Sequence, residues 1–135
     1  MVYSFEPFPP AVKILREHIR LNKLEKKVRI FPFGLGEEER IAYLEDNLVI
    51  GKQGLEIQIK TLDEVIPETE KISLVKIDVE GYELNVLKGG RRMFERDKPY
   101  LFIEIWKQNF KKVNQFLNRM SYKLKKCFFQ LYLLL

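Results

Sequence analysis

The sequence predicts an α/β domain built on a mainly parallel sheet. Short β-prone runs alternate along the chain with amphipathic helical segments. Two of the runs, Ser73 to Asp78 and Tyr100 to Ile105, are almost continuously apolar, as parallel strands covered on both faces should be. The helical segments carry apolar residues at three- and four-residue spacing, so each has one face for a core.

In chain order, Val2 to Phe5 reads as a short strand ended by Pro7. Pro10 suits a first helical turn, where no N–H partner is lost, and the helix it opens runs to about Asn22 with Val12, Leu15 and Ile19 on one face. Val28 to Phe33 is a second strand, broken by Gly34 and Gly36. Ile41 to Leu44 and Leu55 to Lys60 form a hairpin-like insert, with Asn47, Gly51 and Gly54 as turn residues between them. Thr61-Leu62-Asp63-Glu64 has capping-box spacing and should open a short helix ending near Pro67. Ser73 to Asp78 is followed by a helix over Tyr82 to Glu95, buried along Val86, Leu87, Gly90 and Phe94. The Tyr100 strand leads to a helix over Lys107 to Met120, and Tyr122 to Lys125 begins a last strand that the apolar tail can extend.

The 135 residues fit one domain with a real core, since 46% of them are hydrophobic. The first ten residues, with Glu6 and three prolines, do not form a signal peptide. The most apolar run, Phe128 to Leu135, is interrupted by Gln130 and is far short of the roughly 20 residues a membrane span needs. Cys127 is the only cysteine and His18 the only histidine, which excludes an intramolecular disulfide and any multi-Cys or multi-His metal centre. A reducing cytoplasm and no metal are expected. His18, between Arg16, Glu17 and Arg20, reads as a surface residue.

Net charge is +5 and uneven. Lys107, Lys111, Lys112, Arg119, Lys123, Lys125 and Lys126 follow one another with no acid among them. A solvated helix face explains them better than an anionic partner, because no exposed aromatics interleave; no nucleic-acid partner is expected.

Ligands of open parallel sheets bind beyond the carboxyl ends of the strands. There the sequence places Glu6, Asp78 with Glu80, and Glu104, which should converge on one rim. Carboxylates are poor core residues, since burying one unpaired costs several kcal/mol, on the order of a lost charge-assisted bond or more. Glu6 can accept bonds from adjacent ribose hydroxyls, or it can cap the proline-rich turn. Lys76, Asp78 and Glu80 share one face of an extended strand, and Gly81 permits a sharp turn into the next helix. Near that helix start the dipole favours Glu80 and Glu83, and for Glu83 this is the preferred explanation. Asp78 and Glu104 end neighbouring strands, so one can hold a substrate while the other accepts a proton. Trp106 can shield a pocket, stack on a base or pack in the core.

These motifs together resemble the FkbM-type methyltransferases. Val2 to Pro7 is similar to their "FEP" strand, Thr61 to Glu64 to their "TLDE" segment, Lys76 to Glu83 with Val86-Leu87-Lys88-Gly89 to their "KIDVEGxE…VLKG" block, and Pro99 to Glu104 to their "rPxxxxE" strand. Order and spacing are kept over residues 2 to 106. The resemblance implies a class I, Rossmann-like methyltransferase fold. It implies S-adenosylmethionine as methyl donor and a small-molecule or glycan hydroxyl as acceptor. By it, Glu6 holds the ribose, with Asp78 also at the cofactor, and Asp78 and Glu104 are the catalytic candidates. Glu80, Glu104 and Trp106 line the acceptor side.

The pattern departs from the family at its start. The family's first strand and glycine-rich loop should precede Val2, and Gly34-Leu35-Gly36 follows the wrong strand to replace them. The last strand pair is also expected to be incomplete. Residues 1–135 are therefore expected to form a single, partial methyltransferase domain, the alternative being a non-catalytic remnant or partner-binding module.

Overall fold

A computed structural model describes residues 1–45, 49–128 and 131–134. Among the described residues the strands form three sheets rather than one. The first is a parallel pair, β1 (Val2–Phe5) with β2 (Val28–Phe31), joined by helix α1 (Pro9–Leu21). Pro10 lies in the first turn of α1 as expected, with Pro9 opening the helix before it, and Val12 and Ile19 are its buried residues. The helix ends where Lys23 turns left-handed, with φ of 56°.

The second sheet holds β3 (Gly34–Leu35), β4 (Arg40–Leu44), β5 (Ile50–Gly51) and β6 (Leu55–Lys60) in the order β3-β6-β4-β5. The expected hairpin of β4 and β6 is present and antiparallel, with Ala42 opposite Ile57. Gly34 and Gly36 do more than break a strand, since Gly34–Leu35 pairs parallel with Ile59 and Lys60. Asn47, expected in the turn, lies outside the described residues.

Helix α2 (Leu62–Val65) follows, and the Thr61 hydroxyl accepts from the Glu64 N–H at 3.3 Å. Glu64 does reach back, but it accepts from the Thr61 hydroxyl itself, at 2.8 Å. Asp63 instead serves another helix. Its two carboxylate oxygens accept from the N–H groups of Arg92 and Met93, each at 2.9 Å. These open the helix α4 (Arg91–Asp97), so a residue 28 positions upstream of that helix caps it.

The third sheet is β7 (Leu74–Ile77), β8 (Tyr100–Glu104), β10 (Leu131–Leu134) and β9 (Leu124–Phe128), in that order. β7 and β8 are parallel, while β10 is antiparallel to both its neighbours. The last strand pair, expected to be incomplete, is formed; Gln130 lies outside the described residues. The single helix expected over Tyr82 to Glu95 is two, α3 (Glu83–Gly89) and α4, divided at Gly90. A β-carbon at Gly90 would stand 2.8 Å from Phe94 and 2.9 Å from Leu62, so the missing side chain leaves room for Leu62 of α2. The last helix, α5 (Phe110–Arg119), begins one turn later than the periodicity suggests.

The main core lies between β7–β8 and the helices. Leu87, Phe94, Leu101, Ile103, Val113 and Leu117 are fully buried there. A smaller cluster of Ala42, Leu44, Ile57 and Ile59 sits on the second sheet. At one corner of the main core Asp97 accepts from the Ile72 N–H at 2.9 Å and pairs with Arg96. Tyr122 donates to the carbonyl of Pro99 at 3.1 Å.

This corner sets a pH dependence. The Arg96 guanidinium, with the Ile72 N–H, holds the Asp97 carboxyl below its ordinary range. Burial, with the Asp97 charge behind it, pushes the Tyr122 phenol up to about 12. A depressed carboxyl contributes stability above its unfolded value that is lost as pH falls through the folded one. A raised phenol contributes stability that is intact below about 10 and lost as pH rises toward about 12. Thermal melts across pH should therefore fall at both ends. Tyr122→Phe should flatten the alkaline limb alone, and an unchanged alkaline limb in that variant would remove Tyr122 as its cause.

Candidate functional site

A cleft of about 820 Å³ runs between β1 and β7. Its walls are the first eight residues on one side and residues 71 to 80 on the other, with Leu62, Ile66, Val86 and Met93 among its apolar lining. Glu6, Asp78 and Glu80 all line it, so three of the predicted acids share one cleft.

Glu6 follows the end of β1. One of its oxygens, Oε1, accepts from the Phe8 N–H at 2.8 Å and so fixes the turn into α1. The capping role is thus realised, and it leaves Oε2 without a bonded partner among the described residues. Asp78 follows β7 and pairs with Lys76 at 2.8 Å, as two residues on one face of an extended strand can. Glu80 occupies a left-handed backbone conformation, φ 46°, followed by Gly81 at φ 92°. A non-glycine residue in that region costs of order 1 kcal/mol and persists only where its surroundings impose it.

The surroundings that impose it are visible. Glu83, the first residue of α3, is fully buried and is the one buried charged residue among those described. Its Oε2 accepts from the Asn109 amide at 2.8 Å and its Oε1 from the Trp106 N–H at 3.3 Å. The same Asn109 amide nitrogen donates to the carbonyl of Gly81 at 2.6 Å. Trp106 packs its ring under Gly81, where a β-carbon would stand 3.2 Å from Cε3. Glu83 and Asn109 thereby tie the turn after β7 to the turn after β8. The helix dipole alone does not account for Glu83, whose burial needs these donors. Its sequence signal was its place on the apolar face, three and four residues before Val86 and Leu87.

Glu104 and Trp106 are not among the residues lining the cleft. Glu104 is partly buried at the end of β8. The register pairs Ile77 with Ile103, so Asp78 and Glu104 each come one residue after that pair. The two acids therefore do end neighbouring strands. Gly34 also lines the cleft, but its missing side chain makes room for Ile59, whose Cδ1 would be 2.7 Å from a β-carbon there. His18 is exposed on α1. Among the described residues no cluster of His, Cys, Asp or Glu is placed to hold a metal ion, and no helix is long and apolar enough to cross a membrane.

Residues 1–124 match the methyltransferase FkbM domain. The chain belongs to the FkbM methyltransferase family. No curated protein sequence matches it. Among solved structures, this FkbM domain is similar to the methyltransferase FkbM from Methylobacillus flagellatus KT, with a TM-score of 0.76 and 22% identity. The match covers 98% of this chain and 36% of that one, so the chain spans about a third of its structural relative. At that identity the likeness shows the fold, a partial methyltransferase α/β architecture with flanking helices.

Proposed function

We propose that this FkbM domain, residues 1–135 as one partial domain, serves S-adenosylmethionine-dependent methyl transfer to a hydroxyl of a sugar or other small natural product, in the cytoplasm. The observation that carries the proposal is the convergence of Glu6, Asp78 and Glu80 on one cleft between parallel strands. The residues present fit the nucleoside half of that cofactor. Glu6 keeps an oxygen for ribose hydroxyls while its other oxygen is held by Phe8, and the apolar lining suits a base. The cofactor supplies an electrophilic methyl group. The protein's part is to position the acceptor and receive its proton. Asp78 and Glu104, which each follow the paired Ile77 and Ile103 of neighbouring strands, are the pair for those two tasks. Lys76 restrains Asp78, and Trp106 supports the turn that carries Glu80.

Isothermal titration of the folded chain with S-adenosylhomocysteine tests this reading. Saturable binding is expected, and Glu6→Ala should weaken it by about 10-fold or more, the worth of a charge-assisted hydrogen bond. Equal affinity in that variant would remove Glu6 from the cofactor site. A second reading, a non-catalytic partner-binding module, is favoured by the separation of β1 from β7. A folded chain that takes up no S-adenosylhomocysteine would support it.

A further inference from the structure

The excess charge of the chain is confined to the stretch from Lys107 onward. Residues 1–106 hold 17 Lys and Arg against 19 Asp and Glu, a net of −2, whereas residues 107–135 hold seven Lys and Arg and no acid, a net of +7. Helix α5 displays much of it. Lys111, Lys112, Gln115, Asn118 and Arg119 recur at three- and four-residue spacing and are all exposed, so they make one polar face, while Val113 and Leu117 bury the opposite one. Lys107 precedes the helix and Lys123 follows it, both exposed. Among the described residues, none of Lys107, Lys111, Lys112, Arg119 and Lys123 forms an ion pair. A merely solvated face mixes its signs, and the other cation-bearing helices do so: Arg20 pairs with Glu17 in α1, Lys88 of α3 with Glu37, and Arg91 with Glu95 in α4. None of the α5 cations lines the cleft between β1 and β7.

We infer that the exposed face of α5, with Lys107 and Lys123 at its ends, docks the domain on an anionic phospholipid bilayer. The partner's chemistry follows from the kind of charge and its spread. Six of the seven cations are lysine, a compact hydrated charge that suits a diffuse anionic surface. A reader of bases or of single phosphates uses the planar fork of arginine instead. No aromatic stands on the face to stack a base, since Phe110 shares the side of Val113 and Leu117 and lies against Tyr132, ring centroids 5.3 Å apart. The ten residues of α5 spread their charge along about 15 Å of surface, which matches a sheet of headgroups rather than one small anion. The apolar side of the helix is spent on the core, so the contact is electrostatic and stays at headgroup level. Because residues 1–106 are net negative, an anionic surface accepts the molecule by this side and repels the rest, which orients it. The inference is independent of methyl transfer.

The test is co-sedimentation of the intact chain with phosphatidylcholine vesicles, with and without about a third of phosphatidylserine. Binding is expected to the mixed vesicles alone and should be lost in about 0.5 M NaCl, where screening is strong. Each cation near an anionic leaflet is worth about five-fold in affinity, so Lys111→Glu with Lys112→Glu should weaken binding at least 20-fold. Lys26→Glu with Lys27→Glu makes the same change of net charge at exposed positions away from α5 and should cost no more than about 3-fold. The emission of Trp106 checks that each variant is folded, and Lys111→Gln with Lys112→Gln serves if the reversal is not. No binding to the mixed vesicles, binding equal with and without phosphatidylserine, or equal losses in the two reversed pairs would overturn the inference. So would tighter binding of a duplex or single-stranded oligonucleotide than of the vesicles under the same salt, because the partner would then be a nucleic acid.

Discussion

Gly89→Ala should lower the stability of the domain by about 3 kcal/mol, read as a fall in the urea midpoint. Gly89 is the last residue of α3 and is buried. A methyl group there would overlap the carbonyl oxygen of Gly36 and lie 2.8 Å from its carbonyl carbon. Both atoms are backbone, so no rotamer change relieves the overlap. Gly36 cannot retreat cheaply, because its N–H donates to Lys60 beside the β3–β6 ladder at 2.9 Å. Its own missing side chain already gives room to Ile59 and Tyr82. Alanine is a better helix former than glycine by about 1 kcal/mol, which opposes the loss without cancelling it. Lys88→Ala is the control. It removes an ion pair with Glu37 whose partners are 39% and 49% exposed, and it should change stability by no more than about 0.5 kcal/mol. If Gly89→Ala proved as mild, the close approach of α3 to the Gly36 turn would not be a feature the fold depends on.

That contact shows where the sequence could be read and where it could not. Period and capping located α1, the β4–β6 hairpin, β7, β8 and the turn after Asp78, because each is decided by residues within a few positions. The acids at the strand ends were legible for the same reason: a carboxylate that interrupts an apolar run needs an explanation wherever it falls. The division of one expected helix into α3 and α4 was not legible. Val86, Leu87, Gly90 and Phe94 keep helical spacing across the break, and the packing at Gly90 involves Leu62, nearly thirty residues away. Asp63 was read as the inner residue of a local capping box, but its donors belong to α4. Gly34 and Gly36 were read as interruptions, but they are positions where Ile59 needs space. Each miss depends on a residue distant in sequence. That β1 and β7 fall in different sheets is likewise a matter of pairing between distant strands, which local period and capping do not encode.

Glu83→Ala should cost about 3 kcal/mol and should loosen the turn that carries Glu80. The side chain is fully buried, and its removal leaves the Trp106 backbone N–H without its acceptor and the Asn109 amide with the Gly81 carbonyl alone. A buried donor left without a partner costs about 1–3 kcal/mol. Glu83→Gln keeps the volume and one acceptor, but it turns an NH₂ group toward groups that themselves donate. It should fall between the natural chain and the alanine variant. A purely packing role for Glu83 would make glutamine nearly harmless, so the order of the variants separates the two explanations. Trp106 is the only tryptophan in the chain, and its emission reports on this corner directly. In Glu83→Ala the emission should shift to the red before denaturant is added, as the ring beneath Gly81 gains water. Asn109→Ala should do the same, and the double variant should cost less than the sum of the two, because both side chains hold one clasp. Loss of stability with unchanged emission would mean that Glu83 supports α3 alone. The left-handed backbone at Glu80 would then need another cause.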